Sequence, residues 1–184
     1  GVGKHSHILD VTSPASLCQS SGCGHDSVGS IERETMDQTD IAILALLQGD
    51  GGLPQAQIGV RIGLSASAVN DRLKGLRTRG VVSGNTVIVD PAKVGLGVLA
   101  FISVLIDWSA HNVAFAAAVE GMPEVLECHH VTGDWSYLLK VRTRDNDALE
   151  GLISNRIKAL PGVTRSETVF ALRTEKETTV LPIG

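Results

Sequence analysis

No stretch of this sequence stays apolar for the roughly 20 residues that a bilayer-spanning helix needs, so no membrane partner is expected. Nor is there a surplus of positive charge. Sixteen Lys and Arg stand against 20 Asp and Glu, a net charge of −4. That excludes a global basic field for attracting nucleic acid and leaves only a local patch to consider. Cysteine is scarce: Cys18, Cys23 and Cys128 in 184 residues do not make a disulfide framework, and a reduced cytoplasmic setting fits. A phosphate-binding glycine loop, a nucleophile elbow and a metal-ligand pair on a helix are all missing. No catalytic residue, metal or cofactor is therefore expected, and the chain reads as a non-enzyme. The one cluster that hints at catalysis is Cys128-His129-His130. Neighbours on a strand point to opposite faces, so Cys128 and His129 cannot easily pair, and Cys128 reads as buried packing.

What is present is 43% hydrophobic and 20% charged, an ordinary globular composition for one or two small domains. The first 35 residues differ in kind, being rich in Ser, Gly and His with little apolar periodicity. Cys18, Cys23 and His25 could ligate zinc by type, but their spacing matches no compact finger. This leader reads as disordered or as an expression-derived or mis-assigned extension, with Met36-Asp37 the natural start.

Residues 36–90 carry the pattern of three helices and a hairpin. Asp37 can cap the first helix, Asp40 adds charge to its first turn, and Ile41, Ile43, Leu44, Leu46 and Leu47 give it a wide apolar face. Gly49-Asp50-Gly51-Gly52 ends it, and Pro54 opens the second helix, where Ile58 and Ile62 share a face. Gly63 makes the turn and Ser65 caps the third helix, which has Val69, Leu73 and Leu76 on one stripe and Gly80 just past its end. Two short helices joined by a glycine turn form a helix-turn-helix. Val81-Val82 and Thr86–Val89 around Ser83-Gly84-Asn85 predict the hairpin of a wing. From Arg72 to Arg79 there are four cations and no acid, the local patch that DNA recognition requires. Ser65, Ser67 and Asn70, near the helix start, are candidates for base edges or nearby phosphates. Arg72, Lys74 and Arg77 are candidates for phosphates, and Arg79 for the helix C-terminus.

Pro91 to Gly97 reads as a hinge. Beyond it, residues 98–184 predict strand (98–106), helix (Phe115, Val119, Met122), strand (125–132), a Gly133–Ser136 turn, strand (137–143), helix (Leu149 to Leu160) and strand (165–172). That order is ferredoxin-like βαββαβ, making the whole chain α+β. Thr178 to Leu181 predicts an exchanged edge strand or a docking tail.

Together these segments resemble the leucine-responsive/asparagine-regulator (Lrp/AsnC, feast/famine) transcription factors. Asp37–Leu44, Ile62–Val69, Arg72-Leu73, Leu76, Arg79–Val82 and Val89–Pro91 carry the resemblance in the first domain, and Glu127–Leu139 in the second. The resemblance implies sequence-specific binding to double-stranded DNA and a homodimer that assembles further, with octamers common. It also implies a nucleoid-associated cytoplasmic location. An amino acid or related small metabolite would be sensed at Gly133, Asp134, Trp135, Ser136 and Thr168. Ser136 stands where the family has an Asp able to pair with a ligand's ammonium. Pro54 stands for a usual Ser or Thr, Gly59 for Ala and Gly75 for a long cation, and a helix-interior Gly costs about 1 kcal/mol. A DNA-organising protein without effector is the alternative reading. A metabolic regulatory module or an enzyme on a ferredoxin-like fold is a more distant one.

Overall fold

The computed structural model describes residues 36–107 and 111–183. The readings placed on the leader lie outside them. Three helices come first: α1 (Gln38–Gly49), α2 (Gln55–Ile62) and α3 (Ala66–Thr78). Each start has a local cause. The Asp37 carboxylate accepts the Asp40 N–H at 2.7 Å, and the Ser65 hydroxyl accepts the Ala68 N–H at 3.2 Å. Pro54 supplies no side-chain cap to α2. Ile43, Leu44, Leu53, Ile58, Val69, Leu73 and Leu76 close one apolar core between the helices.

The turn between α2 and α3 depends on two glycines. Gly63 sits at φ 74°, the left-handed region that a Cβ disfavours. The Gly59 carbonyl accepts both the Gly63 N–H and, at 2.9 Å, the Leu64 N–H. A Cβ on Gly59 would fall well inside contact distance of the Leu64 carbonyl oxygen. Gly59 is therefore needed where the chain doubles back and is no mere weak point of α2.

The expected wing hairpin does not form as a ladder. The N–H groups of Val81 and Val82 both turn back to the Leu76 carbonyl, at 2.9 and 3.3 Å, and close the end of α3. Having been spent on the helix, they are not available to a strand partner. Thr86 to Val89 runs on without pairing, with Val87 82% and Ile88 87% exposed. Pro91 to Gly95 then make a tight turn, in which the Leu96 N–H reaches the Pro91 carbonyl at 2.8 Å.

The second half follows the predicted order: β1 (Val98–Ile106), α4 (Asn112–Glu120), β2 (Val125–His130), β3 (Tyr137–Thr143), α5 (Asn146–Gly151) and β4 (Val163–Phe170). All neighbouring strands are antiparallel, in the order β2-β3-β1-β4. The last helix is not uniform. After Gly151 it loosens into a π-helical segment, Leu152–Ile157, which still buries Leu152 and Ile157. The core lies between one sheet face (Ala100, Ile102, Val104, Tyr137, Leu139, Val141) and the helices (Phe115, Val119, Leu149, Leu152, Ile157). The other face presents Phe101, Leu105, Leu138 and Val169, which alternate with the buried positions.

Within this chain the C-terminal segment lies as a docking tail and adds no strand to the sheet. Glu177 bridges Lys140 at 2.5 Å and Arg142 at 2.9 Å on β3. Further on, the Leu181 N–H donates to Gln48 Oε1 at 2.6 Å, and Gln48 Nε2 donates to the Leu181 carbonyl at 3.2 Å. Ile183 packs against the three-helix core. The tail thus joins the sheet to α1.

The two helix glycines should respond in opposite senses to the same substitution. Gly75 has open space around it, so Gly75→Ala should stabilise by about 0.5–1 kcal/mol through helix propensity. Gly59→Ala should destabilise by about 1–3 kcal/mol through overpacking. Urea unfolding of each variant checks both signs. The tail anchor should fail in acid. Hydrogen bonds from Lys140 hold Glu177 and Glu127 below their ordinary value of 4.5. Their contribution is complete above that value and is lost as pH falls through the lowered ones. Hydrogen exchange at the Leu181 amide should accelerate over that window. Glu177→Gln at neutral pH should accelerate it by no more than about fivefold, as befits a half-exposed ion pair.

Candidate DNA interface and effector site

Helix α3 is held from one side only. Val69, Leu73 and Leu76 are buried against α1 and α2. A second attachment is electrostatic. Arg72 Nη1 lies 2.6 Å from Asp37 Oδ2 and 2.8 Å from Asp40 Oδ1, and Arg79 Nη2 lies 3.4 Å from Asp40 Oδ2. Asp40 is only 7% exposed. The Asp37 carboxyl is held below its ordinary range, first by the Asp40 backbone N–H and then by Arg72, and both carboxylates raise the Arg72 guanidinium. Arg72, expected on a phosphate, is thus engaged inside the domain. Arg79 also reaches the Gly75 carbonyl with Nε at 3.4 Å, the helix-end contact expected of it.

Exposed or half-exposed on the remaining face are Ser67, Asn70, Asp71, Lys74 and Arg77. Among the described residues no ion pair is recorded for Lys74 or Arg77. Asp71 places an acid at the edge of this set. Ser65 is used as the cap, and its hydroxyl lies 3.0 Å from that of Ser67. Asn70 Oδ1 accepts from Gln55 Nε2 on α2 at 3.2 Å. Sequence reasoning missed Gln55, because no periodicity links the first turn of one helix to the middle of the next.

The effector candidates divide into two places. Gly133, Asp134, Trp135 and Ser136 form the β2–β3 connection. Ser136 fastens it to β1: its N–H donates to the Val104 carbonyl at 2.9 Å, and its hydroxyl accepts the Ile106 N–H at 3.0 Å. The Arg165 guanidinium lies 4.6 Å from the centre of the Trp135 ring, a cation–π contact with the start of β4. Asp134 is exposed. Thr168 is elsewhere. It pairs with Ile102, two positions along β4 from the Val104–Ser166 pair, or about 7 Å. It lines a groove of about 300 Å³ between β4 and the last helix, together with Asn146, Glu150, Ser154, Lys158 and Ser166. Glu150, Ser154 and Lys158 were legible as a polar i, i+4, i+8 row but were not picked out.

Cys128 and His130 share a sheet face, opposite Leu139 and Tyr137. Cys128 is exposed where packing was expected, because β2 is an edge strand that the helices leave uncovered on this side. Desolvation by its surroundings raises its thiol above the ordinary 9.0. His130 instead stacks on Tyr137, with ring centres 5.0 Å apart. A thiol raised in this way is poorly suited to nucleophilic attack.

Comparison with known proteins places both halves. Residues 99–181 match the Lrp/AsnC ligand binding domain, and residues 36–83 match a winged helix-turn-helix DNA-binding domain. The transcriptional regulator FL11 of Pyrococcus horikoshii is 35% identical over 151 residues, covering 82% of this chain and 99% of its own. The leucine-responsive regulatory protein of Salmonella typhimurium is 33% identical over 150 residues, covering 80% and 92%. Among solved structures, the Neisseria meningitidis regulator NMB0573 in complex with L-Met is similar at 37% identity. It superposes with a TM-score of 0.77 over 80% of this chain and 97% of that one. With its DNA-binding three-helix module joined to a βαββαβ domain, the chain belongs to the Lrp/AsnC family of transcriptional regulators.

Proposed function

We propose that this regulator binds specific DNA sites through α3 and adjusts that binding to an amino acid held by its second domain. The observation that carries the first part is the one-sided anchoring of α3. Its apolar stripe and Arg72 are engaged within the domain, which leaves Ser67, Asn70, Lys74 and Arg77 facing outward. Asn70 suits a base edge, and Lys74 and Arg77 suit phosphates. Ser65 serves the interface by capping the helix that presents them. Three short turns of helix with two outward cations bind DNA weakly alone, so affinity comes from pairing. The outward sheet face with Phe101, Leu105, Leu138 and Val169 supports a homodimer, with further assembly towards an octamer. A dimer would set two recognition helices about 10–10.5 bp apart, or a multiple of that, on a near-palindromic site. The protein acts in the cytoplasm at the nucleoid, without a catalytic step.

The second part rests on two relatives and on the β4 groove. NMB0573 and the Mycobacterium tuberculosis feast or famine regulatory protein Rv3291c were solved as complexes with L-Met. The groove beside Thr168 places Glu150 and Lys158 near hydroxyls and the apolar Leu149, Ile153 and Phe170. That charge pair complements the ammonium and carboxylate of an amino acid. The loop Gly133–Ser136 supplies a second wall when copies of the chain assemble. Its Ser136 hydroxyl has a proton left to donate, although its oxygen is engaged with Ile106.

DNA binding should separate the two arginines. Arg77→Ala should weaken all sequences alike and lower the slope of log affinity against log salt by about one. Arg72→Ala should leave that slope unchanged but lower the unfolding midpoint of the three-helix module, because it takes from the buried Asp40 the nearer of its two cations. A reduced slope for Arg72→Ala would return it to the phosphate set. Calorimetric titration with L-Met and a panel of other amino acids should give heat for at least one of them, with about tenfold weaker binding in Thr168→Ala, the scale of one lost hydrogen bond. A panel without heat would favour a DNA-organising protein with no effector.

A further inference from the structure

We propose that Gln55, the first residue of α2, is a specificity-determining positioning residue that orients the Asn70 amide toward the bases. The inference rests on the reading of α3 as the recognition helix. Its observation is the hydrogen bond from Gln55 Nε2 to Asn70 Oδ1, 3.2 Å across 15 residues of sequence. Gln55 opens its helix but is not consumed by it. The cap is Pro54, whose backbone carbonyl takes the N–H groups of Gln57 and Ile58 at 2.9 and 3.0 Å. Gln55 is exposed and Asn70 half-exposed, so both keep hydrogen-bonding capacity on the open side of the pair.

Asn70 is the one amide on the outward face of α3. Lys74 and Arg77 only donate, Asp71 only accepts, and the Ser67 hydroxyl already lies against that of Ser65. Bidentate reading of adenine needs an acceptor for its N6–H and a donor for N7, side by side in one order. An unrestrained asparagine rotates its amide about the Cβ–Cγ bond, so it lies in the plane that two simultaneous base contacts need only part of the time. The bond to Gln55 holds the Asn70 amide in one plane, since neither amide can turn over unless the other turns with it. The second lone pair of Oδ1 stays open for the adenine N6–H. Gln55 thus sharpens a base preference without itself carrying a charge or having to reach a base.

The test is selection of bound duplexes from a randomised library by the full-length chain, comparing base preference position by position. The wild type should select a motif with adenine strongly preferred at one position in each half-site. Gln55→Ala should keep its affinity for random DNA and its salt slope, while the adenine preference at that position falls by roughly fivefold or more. Gln55→Glu offers only acceptors and can hold only Nδ2, so it should lower the same preference by removing the order with Oδ1 toward α2. Relative preference among bases is insensitive to the general repulsion that the added charge brings. In an Asn70→Ala background, Gln55→Ala should change nothing further, because the two residues act as one unit. An unaltered motif in Gln55→Ala would overturn the inference and leave the recognition helix standing. So would an effect of equal size with and without Asn70. A wild-type chain that selects no motif would remove the recognition reading itself, and this inference with it.

Discussion

A carboxylate at 7% exposure in a helical bundle needs cations, and Asp40 has two. Arg72 lies on α3 and Arg79 caps its C-terminus, so satisfying Asp40 fixes the rotation of α3 about its own axis relative to α1. The apolar stripe Val69-Leu73-Leu76 tolerates some rolling, because burial is non-directional. An arginine placed between Asp37 and Asp40 does not. Removing one member of such a partly buried pair is costly because a charge is left behind, although the intact pair adds little net stability. Its value lies in orientation, and orientation decides which side chains a recognition helix presents.

The same accounting distributes the polar groups of the second domain. Ser136 accepts the Ile106 N–H with its hydroxyl and donates its own N–H to the Val104 carbonyl. It extends the β3–β1 pairing beyond Tyr137, and Trp135 with Arg165 ties the same corner to β4. The corner is therefore rigid in one copy of the chain. The groove beside Thr168 is walled in part by the π-helical segment, through Ile153 and Ser154.

Much of this could be read from the sequence, for identifiable reasons. Helix caps at Asp37 and Ser65, the turn at Gly63 and the β1 and β3 boundaries came from local rules, and local chemistry decides them. What local rules left out is non-local. Arg72 looked like one more cation in a run, because its partners lie 32 and 35 residues away. The wing's β-branched residues met no partner, because Val81 and Val82 had been taken by the end of α3. Gly59 looked like a propensity defect, because the Leu64 carbonyl that requires it is near only after folding. Cys128 looked like core, because alternation along β2 does not reveal that an edge strand is bare on that side. Gln55 and Gln48 were invisible for the same reason: each acts on a residue of another element.

The C-terminal tail changes the mechanics of the whole molecule. A domain joined by a single linker swivels within a cone. Here the three-helix module is joined to the sheet twice, by residues 91–97 and by the tail from Glu177 to Leu181. A body held at two points keeps one easy rotation, about the line through them. Any movement of the sheet relative to the module would be restricted to a swing about that line. The tethers are unequal, one covalent and the other a few hydrogen bonds and ion pairs. Loss of the weaker one would turn a directed swing into free wandering, with the fold of each half unchanged.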